Sequence, residues 1–303
     1  MIKALRKAVL LIVLLGPLSV LIAFTWIAPA VLTTFLSFFD VGLGLQLRPV
    51  GLENFYRILY RDIWVPQILQ TTVIYVLGVL AINSGFGLVL GILTAYFVKR
   101  ESVSLFFRTA WLLPRMTPGV LYVVLWMWFV DTRYGLLNAI LSMLGLPTPY
   151  SWLLSKPHSQ IIMIAINGYV GASYGMIIYS AAVKSIPTDF FNAAKVDGAS
   201  DLQIVRYVIL PLLKWPILFV TAWQTLSLLA SYEYILMVWG DTARQANVEV
   251  WALYTYDRAF WLYDYGYAAA LSVFLVAAGL IMIVLYMKIF GFRRLMEPSR
   301  VEV

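Results

Sequence analysis

Long apolar runs recur along almost the whole chain and set the first constraint on its fold. A helix needs roughly 20 consecutive apolar residues to cross the hydrocarbon core of a bilayer. In this chain of 303 residues, 62% are hydrophobic and 12% are charged. A water-soluble globule cannot bury so much apolar surface, so the sequence predicts an all-α integral membrane protein. The six predicted membrane-spanning helices cover residues 8–38, 69–98, 109–130, 160–183, 215–238 and 267–290.

The first apolar run has two interpretations. Lys3, Arg6 and Lys7 precede it and Ala28-Pro29-Ala30 follows it, as in a cleaved signal peptide. The run is longer than the apolar core of such a peptide. We therefore favour a retained helix.

Basic residues are distributed unevenly among the predicted loops. If the amino terminus is cytoplasmic, fifteen are inside, namely Lys3, Arg6, Lys7, Lys99, Arg100, Arg108, Arg115, Lys184, Lys195, Arg206, Lys214, Lys288, Arg293, Arg294 and Arg300. Seven are then outside, namely Arg48, Arg57, Arg61, Arg133, Lys156, Arg244 and Arg258. Cytoplasmic loops carry the excess of Lys and Arg. The sequence thus predicts a multi-pass protein of the cytoplasmic membrane with both termini inside, and this topology accounts for most of the net charge of +7.

Composition also excludes several kinds of chemistry. The chain has no cysteine and one histidine, His158, in a predicted outside loop, so we expect no thiolate or histidine metal site. It has no GxxxxGK[ST] phosphate loop, and Gly85, Gly87 and Gly91 in the second span indicate helix packing. Its basic residues are scattered over four segments, which argues against nucleic-acid binding. We expect no enzyme activity, and any ATP dependence must come from a partner.

A polar segment, residues 185–211, separates the fourth and fifth spans and has helical signals of its own. Apolar residues in its first half recur at helical spacing, namely Ile186, Phe190, Ala193 and Ala194. Pro187 suits a first turn, and Gly198 can take the left-handed conformation that closes a helix. Ser200 and Gln203 have capping-box spacing, which predicts a second helix running to Pro211. Two short helices should therefore meet at Gly198.

This segment resembles the EAA loop of ABC importer permeases. The residues that match the family's loop are Asn192, Ala193, Ala194, Asp197, Gly198, Ala199 and Pro211. In that family the loop lies on the cytoplasmic surface and inserts into a cleft of an ATP-binding subunit. The resemblance therefore implies that these residues dock an ATPase. The family's usual glutamate is Asn192 here, which removes a carboxylate that could cap a helix or pair with a basic group of the ATPase.

Other segments are similar to those of sugar-type permeases and extend the resemblance over residues 50–275. They are Gly51-Leu52-Glu53-Asn54-Phe55, Phe107-Arg108, Leu113-Pro114, Gly135-Leu136-Leu137-Asn138 and Gly266-Tyr267-Ala268-Ala269-Ala270. Residues 237–241 depart from the Thr-x-Gly-Gly-Pro turn of many relatives. The resemblance implies one peripheral helix and a five-helix permease core. We divide the chain into an N-terminal helix and outer loop (1–68), the core with its docking loop (69–291), and a cytoplasmic tail (292–303).

The resemblance also implies partners and a transported substrate. The partners are a second, non-identical permease subunit, two ATP-binding subunits and an extracytoplasmic solute-binding protein. ATP and magnesium would be bound by the ATPases, with no cofactor in this chain. The implied substrate is a disaccharide or oligosaccharide, and the alternative within this architecture is another solute such as glycerol phosphate. A proton-coupled secondary transporter should show inverted repeats or a chain of buried carboxylates, and neither is visible.

Polar residues inside the predicted spans are candidates for the transport path, since they are costly in lipid. Maltose-type permeases bind sugar through the two spans that flank the docking loop. The matching positions here are Asn167, Gly168, Gly171, Tyr174, Gln224, Ser227 and Ser231. Asn167, Gly171 and Tyr174 share one helical face. The alternative is that such small and polar residues only hold the helices together.

Overall fold

The computed structural model describes residues 13–154 and 156–290. The basic residues Lys3, Arg6 and Lys7 and the predicted tail 292–303 lie outside this part of the chain. The long helices are α1 (Val13–Leu36), α3 (Val65–Phe97), α4 (Glu101–Met116), α5 (Gly119–Phe129), α7 (His158–Lys184), α9 (Asp201–Leu212), α10 (Lys214–Leu229) and α13 (Tyr265–Phe290). Shorter ones are α2 (Glu53–Tyr56), α6 (Leu136–Met143), α8 (Thr188–Val196), α11 (Glu233–Trp239) and α12 (Trp251–Phe260). Strands β1 (Phe39–Asp40) and β2 (Arg48–Pro49) pair antiparallel.

The helices α1, α3, α7 and α13 are each long and apolar enough to cross a membrane. Two further pairs are bent, α4 with α5 by 97° and α9 with α10 by 66°. If each bent pair makes one crossing, the described residues contain six spans, the number that the sequence predicts. None of the residues of α1 is buried, which fits a peripheral helix.

Two of the predicted spans, residues 109–130 and 215–238, are interrupted in the structure. The first is broken at Thr117, whose backbone is extended with ψ of 132°, because a residue that precedes a proline avoids the helical region. Pro118 signals this break in the sequence. The second ends at Leu229, and α11 begins only at Glu233. No proline or glycine lies between these two residues, so the sequence carried no signal for this break.

Glycines bring α3 and α7 into close contact. A side chain at Gly87 would place its Cβ 2.9 Å from the carbonyl oxygen of Ala172, and one at Gly91 would lie 2.7 Å from Cβ of Tyr179. The predicted packing role of these two glycines is confirmed. Gly85 has open space around its Cα, so the same prediction is wrong there.

The chain divides into two compact units. Pro66–Leu253 and the segment from Ala277 onward form one, which holds α3 and α7. The segment up to Val65 and residues Tyr254–Val276 form the other. In this smaller unit, Asn54 donates from Nδ2 to the carbonyls of Ser37 and Phe39, both at 2.9 Å. These bonds fasten the outer loop to the end of α1.

A buried carboxylate holds the smaller unit together. The side chain of Asp62 is 4% exposed. Its Oδ2 accepts hydrogen bonds from the hydroxyl of Tyr254, from that of Tyr267 at 2.6 Å and from the guanidinium of Arg258 at 3.4 Å. Burial alone would raise the pKa of Asp62, but the hydrogen bonds from Tyr254, Tyr267 and the backbone of Trp64, with the charge of Arg258, hold it below its ordinary value. Burial and the bond to Asp62 raise the pKa of Tyr254 to about 12.

We predict that Asp62→Asn lowers the free energy of unfolding by about 1–3 kcal/mol at neutral pH, because an amide cannot satisfy the same donors. Since the pKa of Asp62 is lowered on folding, its contribution is present above the ordinary aspartate pKa of about 3.9 and is lost as pH falls through the folded value. Thermal unfolding of the purified protein between neutral and acid pH measures both effects. The control is Asp40→Asn, at an exposed aspartate of the same unit. Equal stability of the two variants would contradict the prediction.

Candidate functional site

The polar segment forms the predicted pair of helices. Helix α8 follows Pro187, and Gly198 adopts a left-handed conformation with φ of +80°. Ser200 and Gln203 form the predicted capping box: the backbone N–H of Ser200 donates to Oε1 of Gln203 at 2.7 Å, and that of Gln203 donates to Oγ of Ser200 at 3.4 Å. Helix α9 then runs to Leu212, one residue beyond Pro211. We call residues 187–212 the docking elbow.

The inner face of the docking elbow is built into the larger unit. Ile204 and Ile209 are fully buried against Ile92 and Tyr96 of α3, together with Val183 at the end of α7. The hydroxyl of Tyr96 also donates to Oδ1 of Asp201 at 2.6 Å. This contact and the apolar cluster give the elbow a fixed seat at the ends of α3 and α7.

The outer face of the docking elbow exposes large apolar side chains. The exposed fraction is 52% at Phe190, 86% at Val196, 76% at Leu202 and 67% at Tyr207. Most of the sequence-predicted docking residues are exposed with them, namely Asn192, Ala193, Asp197, Gly198 and Pro211, while Ala194 and Ala199 are half-buried. The inward aromatic contact is made by Phe191, which the sequence analysis missed and whose ring centroid lies 5.4 Å from that of Tyr96.

A second set of polar residues meets inside the spans. Asn167 on α7 donates from Nδ2 to the hydroxyl of Tyr75 at 2.6 Å and to Oγ of Ser231 at 3.2 Å. Tyr75 also donates to Ser231 at 3.1 Å. One level further along α7, Gln224 donates from Nε2 to the carbonyl of Gly171 at 3.3 Å. Three predicted residues, Asn167, Gln224 and Ser231, thus join α7 to α10 and to the chain that follows it. Tyr75, which was not predicted, adds α3 to this network.

The remaining predicted substrate residues have different surroundings. Gly168 and Gly171 face α3. An added Cβ would lie 2.7 Å from Cδ1 of Ile82 at Gly168, and 2.3 Å from the side-chain amide of Asn83 at Gly171. The guanidinium of Arg115 lies 5.5 Å from the centroid of the Tyr174 ring. Ser227 is exposed on α10.

Polar residues of α3 were missed by the sequence analysis. Besides Tyr75, these are Asn83, which is 1% exposed, and Ser84, whose Oγ lies 2.9 Å from the hydroxyl of Tyr179 and 3.0 Å from Oγ1 of Thr221. Both side-chain atoms of Asn83 are buried without a hydrogen-bond partner in the described part of the chain. The criterion applied to the fourth and fifth spans, a polar residue within an apolar run, would have identified all three had it been applied to the second.

No group of three His, Asp or Glu side chains within the described ranges could hold a metal ion. The groups that meet around Asn167 and Gln224 are hydroxyls, amides and a backbone carbonyl. Such groups can bind a neutral hydroxylated molecule by donating and accepting hydrogen bonds.

Comparison with known proteins agrees with this architecture. Residues 87–301 match the family described as "Binding-protein-dependent transport system inner membrane component", and the chain belongs to this family. The "Probable ABC transporter permease protein YesP" of Bacillus subtilis is 29% identical over 263 residues, which cover 86% of this chain and 84% of that protein. The "Trehalose/maltose transport system permease protein MalF" of Thermococcus litoralis is 26% identical over 293 residues, 95% of this chain and 96% of that one.

A solved structure shares the fold. It is that of a bacterial ABC transporter involved in the import of the acidic polysaccharide alginate, with a TM-score of 0.81 and 21% identity over 97% of this chain and 99% of that one. The resemblance predicted from the docking-loop residues is therefore confirmed. The chain is a membrane-embedded permease subunit, a transport component rather than an enzyme.

We predict that Gly171→Ala destabilises the protein by about 1–3 kcal/mol, because the new Cβ would overlap the amide of Asn83 and force it to move. The measurement is thermal unfolding in detergent, with Gly85→Ala as the control because a Cβ there meets nothing within 4 Å. A Gly171→Ala protein with parental stability and impaired transport would instead place Gly171 against the substrate.

Proposed function

We propose that the chain is a transmembrane permease subunit of an ATP-driven importer that translocates a sugar into the cell. The observation that carries the proposal is the docking elbow, which is firmly seated on α3 and α7 and exposes an apolar face at its turn. An exposed apolar patch beside a fixed turn is the kind of surface that a partner protein covers. The partner that this family membership indicates is an ATP-binding subunit.

The docking residues have distinct parts in this proposal. Gly198 forms the tip of the elbow, where the positive φ favours glycine, and glycine places no side chain between the backbone and the ATPase. Asn192, Ala193 and Asp197 lie exposed on the same surface, and Ala194, Ala199 and Pro211 shape the two helices behind it. ATP and magnesium are bound by the ATPase. Closure of the ATPase pair would move the elbow and, through its seat, α3 and α7.

The complete transporter requires further subunits. A second, non-identical permease would complete the transport path, and an extracytoplasmic solute-binding protein would deliver the substrate. The family description itself refers to dependence on a binding protein. The excess of basic residues on one side supports an orientation with both termini and the docking elbow in the cytoplasm.

A disaccharide or oligosaccharide is the substrate that we infer. Its support comes from relatives such as the trehalose/maltose permease, which aligns over nearly the whole chain. The hydrogen-bonding groups proposed to contact sugar are the side chains of Asn167, Tyr174, Gln224, Ser227 and Ser231. Gly168 and Gly171 would support these groups by allowing α3 to approach α7, and the Gly171 carbonyl positions Gln224.

We predict that Gly198→Trp inserts and folds but loses the stimulation of ATP hydrolysis by the loaded binding protein, because an indole at the tip blocks the seat on the ATPase. ATP hydrolysis by the reconstituted complex measures this loss. Because φ of +80° strains any larger residue, the control is Gly145→Trp, which has a φ of +72°, open space around it and a predicted location on the opposite side of the membrane. Full stimulation of the Gly198→Trp complex would remove the main support for docking at this elbow.

We predict that replacing Asn167 and Gln224 together by Leu reduces sugar transport by at least about tenfold. Each lost hydrogen bond costs about 0.5–1.5 kcal/mol, and more where a buried partner is left unpaired, while about 1.4 kcal/mol corresponds to one decade. Uptake of labelled sugar into proteoliposomes measures the change, while basal ATP hydrolysis should remain close to parental. Ser173→Ala is the control, because Ser173 is a buried residue of the same helix as Asn167, and among the described residues its hydroxyl donates only to the carbonyl of Val170. Parental transport by the double variant would show that both amides serve packing alone.

A further inference from the structure

A cavity of about 360 Å³ lies beside the first helix of the docking elbow. Its walls come from the end of α3, the start of α4, the end of α7 and one face of α8. The charged residues that line it are Lys99, Glu101, Lys184 and Lys195, and Thr188 and Asn192 add uncharged polar groups. We call this cavity the basic pocket.

The basic pocket carries more positive than negative charge. Its only acidic lining residue among the described ones, Glu101, already accepts hydrogen bonds from Lys184 at 2.5 Å and from Arg108 at 2.8 Å. Lys99 donates to the carbonyl of Tyr96 at 2.8 Å and lies 4.4 Å from the centroid of its ring. Neither Lys99 nor Lys195 forms an ion pair with a described residue. Two ammonium groups are therefore left to attract an anion.

Asn192 makes the net charge of this pocket more positive than the family's usual glutamate would. A glutamate at this point of α8 would add a second carboxylate to the pocket and compensate one of the two lysines that lack an ion-pair partner among the described residues. The amide of Asn192 instead adds no charge and can donate a hydrogen bond to an incoming oxygen. The pocket therefore offers two cations and an amide donor to one anionic group.

We propose that the basic pocket receives an aspartate or glutamate side chain of the ATP-binding subunit. The inference rests on the proposed function, because it assumes that the docking elbow is the seat of that subunit. It follows from continuity: Asn192 lines the pocket and is itself one of the proposed docking residues, and both Asn192 and Lys195 are exposed, so a protein that covers the docking residues also reaches the pocket. Complementary charge at the edge of an apolar contact fixes the register of the two partners.

The test uses the assembled transporter and two variants, Lys195→Glu and Asn192→Glu, each of which places a carboxylate in the pocket. Each should weaken binding of the cognate ATP-binding subunit to the purified permease pair by at least about tenfold at low salt, because like charges then face each other. The difference from the parent should shrink in high salt, which screens exposed charges. Lys288→Glu is the control, since Lys288 is an exposed lysine with the same predicted cytoplasmic location but outside the pocket.

A second measurement identifies the incoming group. Carbodiimide activates a carboxylate and joins it to a lysine in contact with it, with loss of one water overall. In the parental complex this reagent should link Lys195 or Lys99 to an Asp or Glu of the ATP-binding subunit, as located by mass spectrometry. The link to Lys195 should be absent from Lys195→Gln.

The outcomes separate this inference from the proposed function. If both glutamate variants bind the ATP-binding subunit like the parent while Gly198→Trp is uncoupled, the elbow docks the ATPase and the pocket inference is wrong. If Gly198→Trp is also fully coupled, the docking function fails and the inference fails with it. If the glutamate variants retain parental affinity for the ATP-binding subunit but lose a dependence of hydrolysis on anionic phospholipid in nanodiscs, the pocket holds a lipid phosphate and the inference is overturned.

Discussion

The contact between α3 and α7 is the interaction on which the larger unit depends. Gly175 has room for no side chain, because an added Cβ would lie 2.5 Å from the backbone carbonyl oxygen of Asn83. Gly87 and Gly91 meet α7 in the same way further along α3. Without a hydrophobic driving force inside a bilayer, such close approach allows van der Waals contact to hold helices together. The same contact brings Tyr75 beside Asn167 and places Tyr96 under the docking elbow.

Polar groups inside the spans are arranged around this glycine contact. Asn167, Tyr75 and Ser231 satisfy one another, and Ser84 bridges Tyr179 and Thr221. A buried polar group without such a partner costs free energy, so the networks also fix the register of α3 against α7 and α10. The two roles that the sequence left as alternatives are compatible here, since a group that joins two helices can also present its free lone pairs or N–H groups to a solute.

The docking elbow could be predicted from sequence because its determinants are local. A left-handed glycine and a capping box depend on residues within three or four positions of one another. The partners of Asn167 and Gln224 could not be predicted from sequence, because they lie far away along the chain. Asn167 binds Tyr75 of α3 and Ser231, and Gln224 binds the backbone carbonyl of Gly171. For the same reason, the structural roles of Asn54 and Gly266 could not be predicted, and the two residues entered the sequence analysis only as part of the family resemblance. Asn54 binds carbonyls near β1, and a Cβ at Gly266 would lie 1.9 Å from the Phe39 carbonyl oxygen, so both serve the fold of the outer loop.

The seat of the elbow also indicates how the motion of a docked partner would enter the protein. Ile204, Ile209 and Leu213 share one apolar cluster with Ile92 and Val183, and a close-packed cluster resists compression and sliding. We therefore expect a push on the tip to move the whole elbow together with the ends of α3 and α7. The 66° bend between α9 and α10 falls at Leu213, which belongs to that cluster, and Ile217 at the start of α10 packs against the cluster as well. A displacement at the tip should therefore reach α3, α7 and the start of α10 together.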